Sequence, residues 1–105
     1  MDKGEALRIA NLYIDSLSNK YEILKAFMFG SFAKGTNHED SDIDVAIVVK
    51  NVTDIIDAQI DMMKLRRKVD LRIEPHPFLL SDFNNDNPVV YEILKSGILI
   101  KNNMV

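Results

Sequence analysis

The chain has 105 residues, 47% apolar and 28% charged, which suits one modest hydrophobic core and argues against disorder. Thirteen Lys and Arg against sixteen Asp and Glu give a net charge of -3, which speaks against bulk electrostatic binding to nucleic acid. With no cysteine, disulfides, thiolate nucleophiles and Cys-zinc sites are excluded.

A cysteine-free chain fits a reducing cytoplasm, and no apolar run approaches the roughly 18 residues of a membrane span. The opening Met1-Asp2-Lys3-Gly4-Glu5 lacks the apolar core of a signal peptide. The expectation is a cytoplasmic protein with a single domain over residues 1–105 and no membrane contact.

In chain order, Lys3 to Ser18 has the spacing of an amphipathic helix, with Leu7, Ala10, Ile14 and Leu17 on one stripe and Ala6, Ile9 and Tyr13 widening it. Ile23 to Phe29 reads as a buried strand with Phe27 and Phe29 on one face. Gly30-Ser31 ends it, and a short helical turn and the polar loop Thr36 to Asp40 follow. Ile43 to Val49 is rich in Val and Ile and reads as a second strand. Asn51 or Thr53 is the expected cap of a helix over Asp54 to Lys68, with Ile56, Ile60 and Met63 toward the core.

Val69 to Ile73 alternates and predicts a third strand, which Pro75 and Pro77 should stop. Asn87-Pro88 opens a last helix that Gly97 closes, and Gly97 to Lys101 predicts a short final strand. The order αβ(turn)βαβαβ indicates an α/β or α+β fold, a small mixed sheet with helices packed on it.

The stretch from Gly30 to Val45 carries the chemistry. Asp42 and Asp44 stand two apart at a strand start and share a face. Adjacent carboxylates repel unless a cation lies between them, and an oxygen-only ligand set favours Mg²⁺ or Mn²⁺. Asp70 falls on the next predicted strand, facing away from Val69, Leu71 and Ile73. If those strands are neighbours, three carboxylates converge, enough for two ions. Gly30 lets a phosphate approach the backbone, Ser31 adds a hydroxyl donor, and Lys34 lies about one turn on, placed for a phosphate charge. A phosphate cradle beside metal-binding carboxylates is a site for a nucleoside triphosphate.

Gly30-Ser31, ten residues, then Asp42-Ile43-Asp44 resembles the signature of the polymerase-beta-like nucleotidyltransferases, and most closely their minimal nucleotidyltransferase (MNT) group. The resemblance spans most of the chain and takes in Asp70 as the third carboxylate. It implies that Asp42, Asp44 and Asp70 hold Mg²⁺, that Asp70 helps deprotonate an acceptor hydroxyl, and that the Gly-Ser turn holds the triphosphate. The implied reaction transfers a nucleoside monophosphate from ATP or another NTP to a hydroxyl, with release of pyrophosphate.

Little of the chain is left over to bind an acceptor, so a partner or a homo-oligomer must complete the site. MNT proteins commonly pair with a helical HEPN toxin. The resemblance therefore implies an antitoxin that transfers AMP to a tyrosine of its partner. Two alternatives are a free-standing enzyme acting on a small hydroxylated molecule and a non-catalytic module that holds NTP or the partner.

Other residues have simpler readings. Arg72 and Glu74 share the face of Asp70 and should pair with each other. The Lys64 to Lys68 cations suit a helix C-terminus. His38 is a loop residue, and His76-Pro77 shapes the exit from the third strand. Phe32 or Phe78 is the aromatic available to stack on a base. Met28, Met62 and Met63 read as core filler.

Overall fold

The computed structural model describes residues 1–104. Helix α1 (Lys3–Leu17) is capped by Asp2, whose side chain accepts from the Glu5 N–H. It buries Ala6, Ile9, Ala10, Tyr13, Ile14 and Leu17, the expected stripe, while Leu7 is only partly covered. Strand β1 (Glu22–Phe29) runs into the four-residue helix α2 (Ser31–Lys34), and strand β2 (Ile43–Lys50) follows the polar loop. Helix α3 (Ile55–Leu65) continues into a 3₁₀ turn over Arg66–Lys68. Strand β3 (Ile73–Leu79), helix α4 (Pro88–Ser96) and strand β4 (Ile98–Asn102) complete the order.

The four strands form one mixed sheet in the order β3-β2-β1-β4. Strands β1 and β2 are antiparallel, as are β1 and β4, whereas β2 and β3 are parallel. One sheet face presents Ala26, Met28, Ile43, Val45, Ile47, Val49 and Ile73 to α1 and to Met62 of α3. The other face carries Phe27, Phe29, Ala46 and Phe78, packed with Ile93 of α4 and with Phe83. Both readings of the expected fold, the mixed sheet and the helices packed on it, match this architecture.

Several expectations need correction. The third strand does not run over Val69–Ile73. Residues 69–72 form a turn, because the Asp70 carboxylate accepts the Arg72 N–H at 2.9 Å and the Asp70 and Val69 N–H groups both return to the Arg66 carbonyl, and the strand starts only at Ile73. A side chain that captures its own backbone two residues on competes with a ladder.

Pro75 and Pro77 lie inside β3 instead of stopping it. Ile43 donates its N–H to the Arg72 carbonyl and pairs with Ile73, so residues 74, 76 and 78 turn their backbone groups to β2. The prolines occupy the alternate positions, where no ladder donor is lost. The outward carbonyls of Ile73 and Pro75 are capped by Arg66 (2.9 Å) and Gln59 (3.5 Å).

Helix α3 is capped by Asp54, not by Asn51 or Thr53, and its carboxylate accepts from Ile56 and Asp57. Its covered stripe is Ile55, Ala58, Met62 and Leu65, whereas Ile56 and Ile60 are 66% and 51% exposed. Met63 is only half-buried, while Met28 and Met62 are core. Asn87 caps α4, its side chain accepting the Val89 N–H at 2.9 Å. Gly97 follows α4 in extended backbone with its N–H on the Ile93 carbonyl, so close that a Cβ would stand 2.4 Å from that oxygen.

Candidate active site

The Gly30 turn and the start of β2 meet in the ladder, where Phe29 pairs with Asp44. Gly30 has φ 75° and ψ -151°, a region that only glycine occupies freely. A Cβ on Gly30 would lie 2.3 Å from Asp44 Oδ2, so the carboxylate fills the place a side chain would take. Ser31 starts α2 and is half-buried beside this contact.

Upstream of β2, Ser41 is buried, and its hydroxyl accepts the His38 N–H at 2.9 Å while its own N–H donates to the His38 carbonyl at 3.1 Å. That closed loop delivers Asp42 to the strand entrance with its side chain exposed. His38 is itself a loop residue, whose Nδ1 accepts the Asp40 N–H.

The parallel β2–β3 register sets Glu74 directly beside Asp44 and His76 beside Ala46. Paired residues in a sheet share a face, so Phe29, Asp44 and Glu74 form a row across three strands. His76, in the next row, reaches back to Asp44, with Nε2 3.1 Å from Oδ1. Its ring meets Phe29 edge-on, 5.0 Å between centroids. His76 therefore sits in the middle of β3 against the site and does not shape a strand exit.

Asp70 stands outside β3. Both its oxygens are engaged by Arg72, Oδ1 with Nε at 2.9 Å and Oδ2 with NH2 at 2.6 Å. Hydrogen bonding from the Arg72 guanidinium holds its carboxyl below the usual range. Arg72 thus pairs with Asp70 and not with Glu74, and the expected convergence of Asp42, Asp44 and Asp70 is not assembled. Glu74 is the carboxylate that the register brings to Asp44.

Lys34 is likewise committed. Its ammonium pairs with Glu92 of α4, and this contact, ahead of the one from Ser96, holds the Glu92 carboxyl below its ordinary value. In this structure Lys34 ties α2 to α4 through that pair. Phe32 is 1% exposed and cannot stack on a base, and Phe78 is half-buried and packed edge-on against Phe83.

The donor chemistry fits a hard divalent ion. Asp42 and Asp44 offer only oxygens, and Mg²⁺ sites commonly take one or two carboxylates and fill the rest from substrate phosphates and water. Among the described residues no group of three His, Asp or Glu side chains is gathered for a metal. Asp42 and Asp44 are the oxygen ligands the chain could offer such an ion.

Sequence reasoning missed Glu74, His76 and Ser41 as parts of this site. Glu74 could have been found from the register had β3 been placed correctly. For His76, 32 residues from Asp44, the sequence carries no local signal.

Among the described residues no helix is long and apolar enough to cross a membrane. No curated protein matches the chain. Among solved structures, a Sulfolobus solfataricus protein described as a candidate nucleotidyltransferase shares the fold, with TM-score 0.69 and 16% identity over 96% of this chain and 84% of that one. A toxin–antitoxin structure with AMP-PNP matches with TM-score 0.63 and 23% identity, covering 90% of this chain and 74% of that one. The MntA-HepT toxin–antitoxin gives TM-score 0.59 and 19% identity, over 90% and 71% of the two chains. The family model for polymerase beta nucleotidyltransferases matches residues 12–104, and with the Gly30 turn set against Asp44 at the strand ends, the chain belongs to that nucleotidyltransferase family.

Proposed function

We propose that this protein is a Mg²⁺-dependent nucleotidyltransferase that moves AMP from ATP to a hydroxyl of a partner protein, and that it acts as the antitoxin of a HEPN-type toxin. The observation that supports the reading is the contact between the Gly30 turn and Asp44, where a positive-φ glycine at a strand end stands against the carboxylate of the Asp42-Ile43-Asp44 stretch. The likeness to MntA-HepT supports the antitoxin part.

Asp42 and Asp44 would hold Mg²⁺, with Mn²⁺ as a substitute, and Gly30 and Ser31 would receive the triphosphate tail. When bound, the ion polarises the α-phosphoryl group and offsets the charge of the leaving pyrophosphate. The acceptor oxygen forms a bond to the α-phosphorus as the α–β phosphoanhydride bond breaks. Glu74, beside Asp44 in the sheet, is the carboxylate we assign to receive the acceptor proton. A tyrosine of the toxin is the proposed acceptor. In this reading the toxin also supplies the acceptor pocket.

The test is to purify the chain with the product of its adjacent gene, add ATP and Mg²⁺, and take intact masses of both proteins. A gain of one or more AMP units on the partner, absent in an Asp42→Asn/Asp44→Asn control, is the expected result. A stable complex with no mass gain would replace catalysis with neutralisation by binding. No gain and no complex would sink the antitoxin reading and point to small hydroxylated acceptors.

A further inference from the structure

We propose that His76 is a positioning residue for Asp44, fixing the carboxylate in the orientation in which it takes a divalent cation. The proposal rests on the reading of Asp42 and Asp44 as cation ligands. Asp44 is held from two sides. Oδ2 lies against the Gly30 backbone, where a Cβ would be only 2.3 Å away, and Oδ1 receives His76 Nε2 at 3.1 Å. A carboxylate only accepts, so Nε2 carries the hydrogen of that bond. Each carboxylate oxygen has two lone pairs, so one bond from His76 leaves acceptor capacity for a cation.

The ring itself is well fixed. His76 lies between Pro75 and Pro77, whose rings lock their backbone φ, and β3 is paired along its length to β2. The imidazole leans edge-on against Phe29, with 65° between the rings. Strand, prolines and Phe29 together aim one nitrogen at one oxygen. Partners that hydrogen-bond a metal-ligating group typically change metal affinity about 10- to 100-fold when removed. A His76 that merely filled the sheet face would be replaced without loss by another ring of similar size.

The experiment is a titration of the full chain with Mn²⁺ alone, followed by the paramagnetic loss of backbone amide signals around Asp42 and Asp44. Wild type, His76→Phe and His76→Gln are compared, with thermal melting as the check on folding. His76→Phe is expected to weaken Mn²⁺ binding about tenfold while melting as wild type does. His76→Gln, whose amide nitrogen can donate at similar reach, is expected to recover most of the loss. Should His76→Phe unfold, His76→Leu takes its place in the same comparison. Binding by His76→Phe equal to wild type, or no rescue by His76→Gln, overturns this proposal alone. A wild-type chain that binds no Mn²⁺ overturns it together with the reading of Asp42 and Asp44.

Discussion

Gly30 and Asp44 meet so closely at the end of the β1–β2 ladder that a methyl group on Gly30 would stand 2.3 Å from Asp44 Oδ2. Two demands fall on one residue: a positive φ and the absence of a side chain. Gly30→Ala should therefore destabilise the fold by about 2 kcal/mol or more, the sum of backbone strain and the clash. In an Asp44→Ala background the clash disappears and only the strain remains. Urea denaturation of the four proteins of this double-mutant cycle should give a coupling of about 1 kcal/mol or more. Additive losses would mean that the two residues do not compete for the same space.

The assignment of carboxylates makes a sharp kinetic prediction. Asp42→Asn, Asp44→Asn and Glu74→Gln should each lower nucleotidyl transfer by about 100-fold or more, as expected when a charge acting on the reacting groups is removed. Asp70→Asn should stay within about threefold of wild type, because its carboxylate is bound to Arg72. A reversal between Glu74 and Asp70 in a transfer assay would restore the role that the family resemblance first gave to Asp70.

Lys34 separates structure from substrate binding in the same way. Because its ammonium is paired with Glu92, Lys34→Met should change ATP affinity by no more than about threefold. A loss of tenfold or more, read by calorimetry with ATP and Mg²⁺, would show that the lysine leaves Glu92 for the triphosphate.

Stability should depend on pH through the cluster of Lys20, Tyr21 and Asp61, at the opposite end of the sheet from the Gly30 turn. Burial, and then its hydrogen bond to Asp61, push the Tyr21 hydroxyl up to about 12. A folded-state value above the unfolded value of about 10 means that its contribution is complete below pH 10 and fades through about pH 12. The Lys20 ammonium, and then the Tyr21 hydroxyl, hold the Asp61 carboxyl below the usual range. Its contribution is present above about pH 4 and is lost as pH falls through the lower folded value. Denaturant midpoints of Tyr21→Phe and wild type should differ most near neutrality and converge toward pH 12. A constant difference across that range would remove Tyr21 from the alkaline limb.

Tyr13 offers a purer test of one buried hydrogen bond. Its ring is fully buried and its hydroxyl donates to the Met62 carbonyl at 2.7 Å, joining α1 to α3. Tyr13→Phe should cost about 1 kcal/mol or somewhat more, since the Met62 carbonyl loses its side-chain donor inside the core. Unfolding by urea would read this directly.

The sequence made the local features legible and left the long-range ones hidden. Gly30-Ser31 and Asp42-Ile43-Asp44 could be read because strand ends and turns impose residue types at short spacing. α1, β1, β2, α4 and β4 followed from periodicity and from the Asn87-Pro88 and Gly97 boundaries. The face of α3 was misread because its exposed Ile56 and Ile60 are as apolar as a buried stripe. The shift of β3 was hidden because Asp70 folds back on Arg72, and because a proline at an outward-facing position costs no ladder bond. The bond from His76 to Asp44 depends on that register, so it could not be seen before the register was known.

The two margins of the sheet differ in what they offer another chain. Beyond β3 there is little to zip onto: two donors are missing at Pro75 and Pro77, and the carbonyls of Ile73 and Pro75 already belong to Arg66 and Gln59. Among the described residues, β4 on the far side pairs only with β1. A ribbon of stacked copies needs two open margins on every molecule. With one closed, joining strand to strand stops at a pair, and the fold carries its own safeguard against fibre growth.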